Sequence, residues 1–165
     1  MSGSAYFPFF VHLQFAGADD PKITTPVDRV LVGYEKDDGS LNRFDLYGPG
    51  MWEAFAQFVH SFSNACSRTI APVGWRLRTL VWPAAVLNCA AVGEKLCQDL
   101  VMRMDGRWNE ARMVDLSTLV GQGSWDPSTR PALREVAKFL GLDQEGPLET
   151  LVAIHRKYIE VRDRI

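Results

Sequence analysis

Histidine is the side chain most often used for proton transfer and metal binding near neutral pH. The sequence has three, His12, His60 and His155, and none has a partner histidine four positions away with which a helix could form a metal-binding pair. A lone histidine is more often a hydrogen-bonded or solvated side chain than a ligand. His12 is of most interest, because it lies in the first predicted strand.

Other motifs of catalysis are missing from the sequence. There is no Gly-x-Ser-x-Gly turn for a nucleophilic serine, and Gly121-Gln122-Gly123 lacks the rest of a phosphate-binding loop. The three cysteines, Cys66, Cys89 and Cys97, form no Cys-x-x-Cys pair. We therefore expect reduced thiols, a cytoplasmic protein and no bound cofactor.

The composition is that of an ordinary globular chain. Of 165 residues, 47% are apolar and 23% charged, and 18 Lys and Arg oppose 20 Asp and Glu, which gives a formal net charge of −2. This predicts one domain over residues 1–165. A protein that coats nucleic acid or an anionic membrane would carry a basic excess. We expect no membrane association, since no apolar run reaches the ~18 residues of a span. We also expect no signal peptide, since no basic region precedes the short N-terminal apolar run and Asp19, Asp20 and Lys22 soon follow it.

Hydrophobic periodicity predicts the elements that must position any site. Strands are predicted over residues 5–15, 27–34, 41–47 and 69–75, and helices over residues 50–63, 83–96, 117–120, 131–140 and 147–164. The turn Asp37-Asp38-Gly39-Ser40 joins the second and third strands as a hairpin. The order β-β-β-α-β-α-α-α-α indicates an α/β protein with at least one crossover connection.

Residues 73–83, Val-Gly-Trp-Arg-Leu-Arg-Thr-Leu-Val-Trp-Pro, resemble a motif of the DEDD family of 3'-5' exonucleases, Val-Gly-Trp-Asn-x-x-x-Phe-Asp-x-Pro. Gly74, Trp75 and Pro83 match in register. Residues 113–116 and 133–142 resemble the family's Asp-Leu segment and a later helix, so the resemblance covers about residues 5–142 in order. It implies a ribonuclease-H-like mixed sheet, with three antiparallel strands followed by parallel crossover strands, flanked by helices.

The resemblance also implies phosphodiester hydrolysis by two divalent metal ions, held by four carboxylates. His12 and Gln14 stand where the first motif has Asp-x-Glu, and Val81 stands where the second motif has Asp. Divalent magnesium and manganese need hard, anionic oxygen ligands. The nearest candidate for the fourth acid is Glu149, which we weight more heavily as a first-turn acid that stabilises a helix N-terminus. No catalytic residue and no metal ligand is therefore assigned.

These departures predict a degenerate exonuclease-like domain, a pseudonuclease that serves in binding or assembly. The alternative is an active exonuclease that cleaves single-stranded DNA or RNA with Mg or Mn bound at a rearranged acidic site. Single-stranded nucleic acid would contact Arg76 and Arg78 and stack on Trp82, unless Trp82 is a core residue and the arginines are solvated. A protein partner or a second copy would dock on the sheet end or the last helix. The slight acidity favours the protein partner.

Overall fold

The computed structural model describes residues 6–17, 20–65, 70–96, 113–120, 132–142 and 145–164. The strands are β1 Phe7–Phe15, β2 Val27–Glu35, β3 Leu41–Tyr47, β4 Ile70–Gly74 and β5 Val114–Asp115. The helices are α1 Met51–Ala65, α2 Trp82–Ala91, α3 Leu116–Val120, α4 Leu133–Phe139 and α5 Pro147–Arg164. A π-helical turn, Leu77–Val81, leads into α2. No helix in these ranges is long and apolar enough to cross a membrane.

The strands form one five-stranded sheet in the order β3-β2-β1-β4-β5. β1, β2 and β3 are antiparallel neighbours, whereas β4 is parallel to β1 and β5 is parallel to β4. The predicted α/β class, with an antiparallel start and parallel crossover strands between helices, is confirmed. β5 was not predicted as a strand, because two residues are too few to show an alternating pattern.

Side-chain alternation along β1 builds a core on each side of the sheet. Phe9, Val11 and Leu13 pack in the first core, which α1 and α2 cover. Phe10 packs in the second core, together with the apolar residues of α5. Because both faces of the central strands are covered, β1 and β4 have apolar residues on both sides.

The segment between β4 and α2 is wider than an α-helical turn. The backbone N–H groups of Leu80 and Val81 both donate to the carbonyl oxygen of Arg76, each at 3.0 Å. α2 then begins at Trp82, with Pro83 near its first position, where a missing N–H costs nothing. The helix predicted to continue to Leu96 ends at Ala91, because Gly93 turns the backbone into the left-handed region at φ +80°.

The final helix, α5, crosses the second face of the sheet. Near its start, Glu149 binds Arg43 of β3, and further along the buried His155 is hydrogen-bonded to the hydroxyl of Tyr6 at 3.0 Å. Arg43 is paired with Gly33 of β2, and Gly33 is paired with Phe10 of β1, so Arg43 lies level with Phe10 across the sheet. Tyr6, in contrast, precedes β1. α5 therefore runs towards the beginning of β1 and away from the end of that strand.

Candidate functional site

The metal site implied by the resemblance would begin at the end of β1, where His12 and Gln14 lie. Both residues are on the face opposite to Val11 and Leu13, as strand alternation requires. His12 is paired with Leu31 of β2, and Gln14 with Arg29. The Gln14 side chain is exposed and that of His12 is partly buried. The structure thus places these two predicted positions side by side on the second face of the sheet.

The charge state of His12 follows from its surroundings. Burial lowers the pKa of His12 from 6.5 to about 4, because a charged imidazolium would lose its hydration. The ring is therefore neutral at pH 7. A neutral imidazole beside a neutral carboxamide supplies no negative charge at the point where the resemblance implies two carboxylates. This pair does not fit a pair of Mg²⁺ or Mn²⁺ ions, which prefer anionic oxygens.

The position aligned with the second-motif acid, Val81, lies elsewhere. Val81 is 4% exposed and packs in the first core, on the other side of the sheet from His12 and Gln14. Its neighbour Trp82 is wholly buried, and the indole meets the rings of Phe9 and Phe55 edge-on, each at 6.2 Å between centroids. A base could stack on Trp82 only if the indole left the core. Of the two alternatives for Trp82, a stacking platform or a core residue, the structure has the core residue.

Arg76 and Arg78 use their backbones to hold the π-helical turn in place. The N–H of Arg76 donates to the hydroxyl oxygen of Ser117 at 3.2 Å, and the N–H of Arg78 donates to Asp115 Oδ2 at 3.1 Å. The guanidinium of Arg78 donates to the carbonyl oxygen of Met113 at 3.2 Å. These contacts tie the turn after β4 to β5 and α3. They occupy one donor of the Arg78 side chain within the protein.

Asp115 is the buried centre of this group and was not predicted as a site residue. Its side chain is 3% exposed, and Oδ1 accepts hydrogen bonds from the N–H and the hydroxyl of Ser117 at 3.1 and 2.6 Å. Since Asp115 directly precedes α3, it acts as the N-cap of that helix. The signal in the sequence is an Asp followed two residues later by Ser at a helix start. The carboxylate is fully engaged in structural hydrogen bonds.

Glu149, the candidate for the fourth acid, lies in the first turn of α5. Its Oε2 accepts a hydrogen bond from Arg43 Nη1 at 2.5 Å, and negative charge is favourable near a helix N-terminus. Its carboxylate is thus paired with a cation of the edge strand. Within the described ranges, no three His, Cys, Asp or Glu side chains are grouped as metal ligands would be.

Cys89, the one cysteine among the described residues, is not activated as a nucleophile. Burial raises the pKa of Cys89 to about 12, and the charges of Glu94 and Glu53 act in the same direction. The thiol is therefore protonated at physiological pH. A protonated, buried thiol neither attacks a substrate nor binds a metal. Cys66 and Cys97 lie outside the described residues.

The three residues that carry the exonuclease resemblance have structural roles here. A Cβ on Gly74 would lie 2.9 Å from the carbonyl oxygen of Val11 and 3.1 Å from Leu77 Cδ1, so β4 passes too close to β1 for a side chain. Trp75 is 7% exposed in the second core, and Pro83 starts α2. Packing and helix initiation alone account for these three residues.

Of three comparisons with known proteins, only the comparison with solved structures bears on the fold. No model of a known protein family matches the chain, and no curated protein matches it. Among solved structures, it is similar to the family B DNA polymerase from the hyperthermophilic archaeon Pyrobaculum calidifontis, with 19% sequence identity and a TM-score of 0.51. The similarity covers 82% of this chain and 18% of the polymerase chain. The similarity shows a common fold, compatible with a ribonuclease-H-like sheet.

Proposed function

We propose that this chain is an exonuclease-like domain that does not hydrolyse nucleic acid and that works as a protein-interaction or assembly module. The observation that carries the proposal is the pair at the end of β1. His12 is neutral because burial lowers its pKa, and Gln14 is an uncharged amide. The sequence resemblance aligns these side chains with two of the carboxylates that hold the metal ions in exonucleases of the DEDD family.

Two-metal hydrolysis needs several anionic oxygens around one point, because the ions must stabilise both the attacking and the leaving oxygen. Two described acids that could replace the missing ones, Asp115 and Glu149, already have partners within the protein. Asp115 accepts hydrogen bonds from Ser117 and Arg78, and Glu149 binds Arg43. Recruiting either acid to a metal would leave buried donors or a cation without a partner, which costs free energy. This supports a role that does not involve hydrolysis.

The arrangement of the predicted nucleic-acid contacts favours a protein partner. Trp82 is inside the core, and the Arg78 guanidinium is partly buried against a backbone carbonyl. The formal charge of −2 gives no general attraction to phosphates. Stacking of a base on Trp82 would need the indole to leave the core.

The first test is a nuclease assay. Purified full-length protein is mixed with end-labelled single-stranded DNA or RNA and Mn²⁺, with EDTA in a parallel sample. We expect strands of unchanged length over time. Shortening that EDTA stops would overturn the proposal. The double variant His12→Ala, Gln14→Ala then locates the activity, since loss of shortening assigns it to the end of β1, and persistence assigns it to a rearranged acidic site.

A second test separates the two kinds of partner. We expect no salt-dependent binding of a labelled single strand, measured by fluorescence anisotropy, and no difference between wild type and the double variant Arg76→Ala, Arg78→Ala. The matched control is Lys22→Ala, Lys36→Ala, which removes two exposed cations elsewhere. Salt-dependent binding that is lost in the arginine variant and kept in the lysine variant would contradict the protein-partner assignment.

A further inference from the structure

β3 is one of the two outer strands of the sheet, and no described residue is hydrogen-bonded to the backbone groups on its outer edge. The N–H of Lys36 donates to the carbonyl of Ser40 at 2.8 Å, which makes this pair a hydrogen-bonded one. Such pairs alternate along an antiparallel ladder. The residues of β3 that aim their backbone groups away from β2 are therefore Leu41, Arg43, Asp45 and Tyr47. Nothing in the described ranges is hydrogen-bonded to these groups.

Four side chains of this edge strand are exposed, and two of them are large aromatic rings. Phe44 is 39% exposed and Tyr47 is 66% exposed. Arg43 and Asp45, of opposite charge, lie on either side of Phe44 and share the second face of the sheet. Natural proteins cover, shorten or charge such edges, because an open strand invites pairing with another chain.

We propose that β3 pairs in antiparallel orientation with β3 of a second copy of this chain, about a two-fold axis at Phe44. The proposal deepens the proposed assembly function and rests on it for its biological purpose. In this register Arg43 lies opposite Asp45 of the second copy, and Leu41 lies opposite its Tyr47. All of these residues aim their backbone groups outward, so each pair can exchange both of its hydrogen bonds.

Charge selects this register over its neighbours. An axis at Arg43 would set Arg43 against its own copy, and an axis at Asp45 would set two carboxylates against each other. Like charges directly opposite across strands are destabilising. With the axis at Phe44, both charged pairs have opposite signs. If the axis fell between two residues, each residue whose backbone groups point away from β2 would lie opposite a residue whose backbone groups point towards its own β2. The two copies of β3 could then form no hydrogen-bonded pairs.

The charged neighbours extend this complementarity. Within one chain, Arg43 binds Glu149 at 2.5 Å, and Asp45 accepts a hydrogen bond from Arg29 at 2.9 Å. Across the axis, the pairing of Arg43 with Asp45 of the second copy would join these into an alternating row of acid, base, acid and base. On the first face, the two Phe44 rings would meet beside Phe58, whose ring centroid lies 5.3 Å from that of Phe44.

The test is a charge exchange followed by light scattering. Over a concentration series, wild type is expected to reach twice the 18.5 kDa mass of one chain. Arg43→Asp leaves acids at positions 43 and 45, and Asp45→Arg leaves bases at both. Because position 43 faces position 45 of the second copy, like charges then repel, and each variant alone is expected to stay monomeric. An equimolar mixture is expected to recover the dimer, because each strand then faces its opposite charge. Circular dichroism verifies that each variant is folded.

A cross-link measures the register independently. Phe44→Cys places two thiols opposite each other at the axis and is expected to form a disulfide dimer under mild oxidation. Asn42→Cys lies on the same face two residues away and is expected to cross-link at least tenfold less. Wild type under the same conditions reports any cross-link of the three native cysteines.

Each outcome bears on one claim. A monomer at every concentration, a dimer that both charge variants retain, or equal cross-linking at positions 42 and 44 would overturn the edge-to-edge dimer. None of these results alters the nuclease assay. Conversely, hydrolysis by a β3-paired dimer would overturn the proposed function and leave the dimer standing.

Discussion

Asp115 holds the backbone of Arg78, a residue 37 positions earlier in the chain, through a hydrogen bond of 3.1 Å from the Arg78 N–H to Oδ2. The other oxygen, Oδ1, accepts two hydrogen bonds from Ser117. The carboxylate is almost completely buried. One side chain thus fixes both the start of α3 and the π-helical turn that follows β4.

Replacing this carboxylate by its isosteric amide tests how much the turn depends on it. Asp115→Asn keeps the volume but turns an NH₂ group towards donors that need an acceptor. We expect the free energy of unfolding in urea to fall by about 2 to 3 kcal/mol. Asp28→Asn, at an exposed strand position, is the matched control and should change it by less than about 0.5 kcal/mol. Equal losses in the two variants would argue against a structural role for Asp115.

The depressed pKa of His12 predicts a specific acid sensitivity. The unfolded chain takes up the proton as the pH falls through 6.5, whereas the folded protein takes it up only near pH 4. Protonation therefore favours the unfolded state between these values, and stability falls as the pH is lowered. The shift corresponds to at most about 3 kcal/mol. We expect His12→Gln to lose less stability than wild type between pH 6.5 and 4.

His60→Gln is the control for the loss of a histidine as such. Its ring is hydrogen-bonded to the carbonyl of Lys95, away from β1. Denaturant unfolding at a series of pH values gives the change in the free energy of unfolding with pH for each protein. If stability depended on pH equally in His12→Gln and in wild type, the assignment of a neutral imidazole to folded His12 would be wrong. The absence of charge assigned to the end of β1 would then be wrong as well.

The left-handed backbone of Arg76 predicts that glycine at this position gives a more stable protein than alanine. Among the described residues it is the one non-glycine with a positive φ, at φ 53° and ψ 38°. A Cβ in this region costs about 1 to 2 kcal/mol, and glycine avoids that cost. We expect Arg76→Gly to be more stable than Arg76→Ala by about 1 kcal/mol in thermal unfolding. Greater stability of the alanine variant would contradict the left-handed conformation.

The close approach of β4 to β1 predicts the opposite effect at Gly74. A methyl group there would lie 2.9 Å from a backbone oxygen that belongs to a central strand and cannot readily move. We expect Gly74→Ala to destabilise the protein by about 1 to 3 kcal/mol. Thr79→Ala, an exposed position in the next segment, should be nearly neutral. A stable Gly74→Ala variant would remove the packing explanation for this part of the motif.

Strong periodicity made most of the fold predictable. The alternation of β1 and the Asp-Gly turn before β3 are local signals, and the predicted bounds of β3, Leu41–Tyr47, are those of the structure. β5 could not be predicted, because a strand of two residues exists only through its pairing with Val73 and Gly74. Its formation depends on residues some forty positions away, which a local pattern does not report.

The candidate site was predictable in its residue types and less so in their surroundings. Alternation alone puts His12 and Gln14 on one face, and the structure has them there. Burial of Trp82 was one of two alternatives, since a tryptophan at a helix start can face either way. The left-handed conformation of Arg76 has no sequence signal, because Arg is not a residue that favours it.

Metal binding tests most directly the proposal that the end of β1 does not hold a pair of divalent ions. Mn²⁺ is titrated into the full-length protein, and free Mn²⁺ is followed by electron paramagnetic resonance. We predict only weak, non-saturating binding, the same in wild type and in the double variant His12→Ala, Gln14→Ala. Saturable binding of two ions per chain that the double variant abolishes would contradict the account.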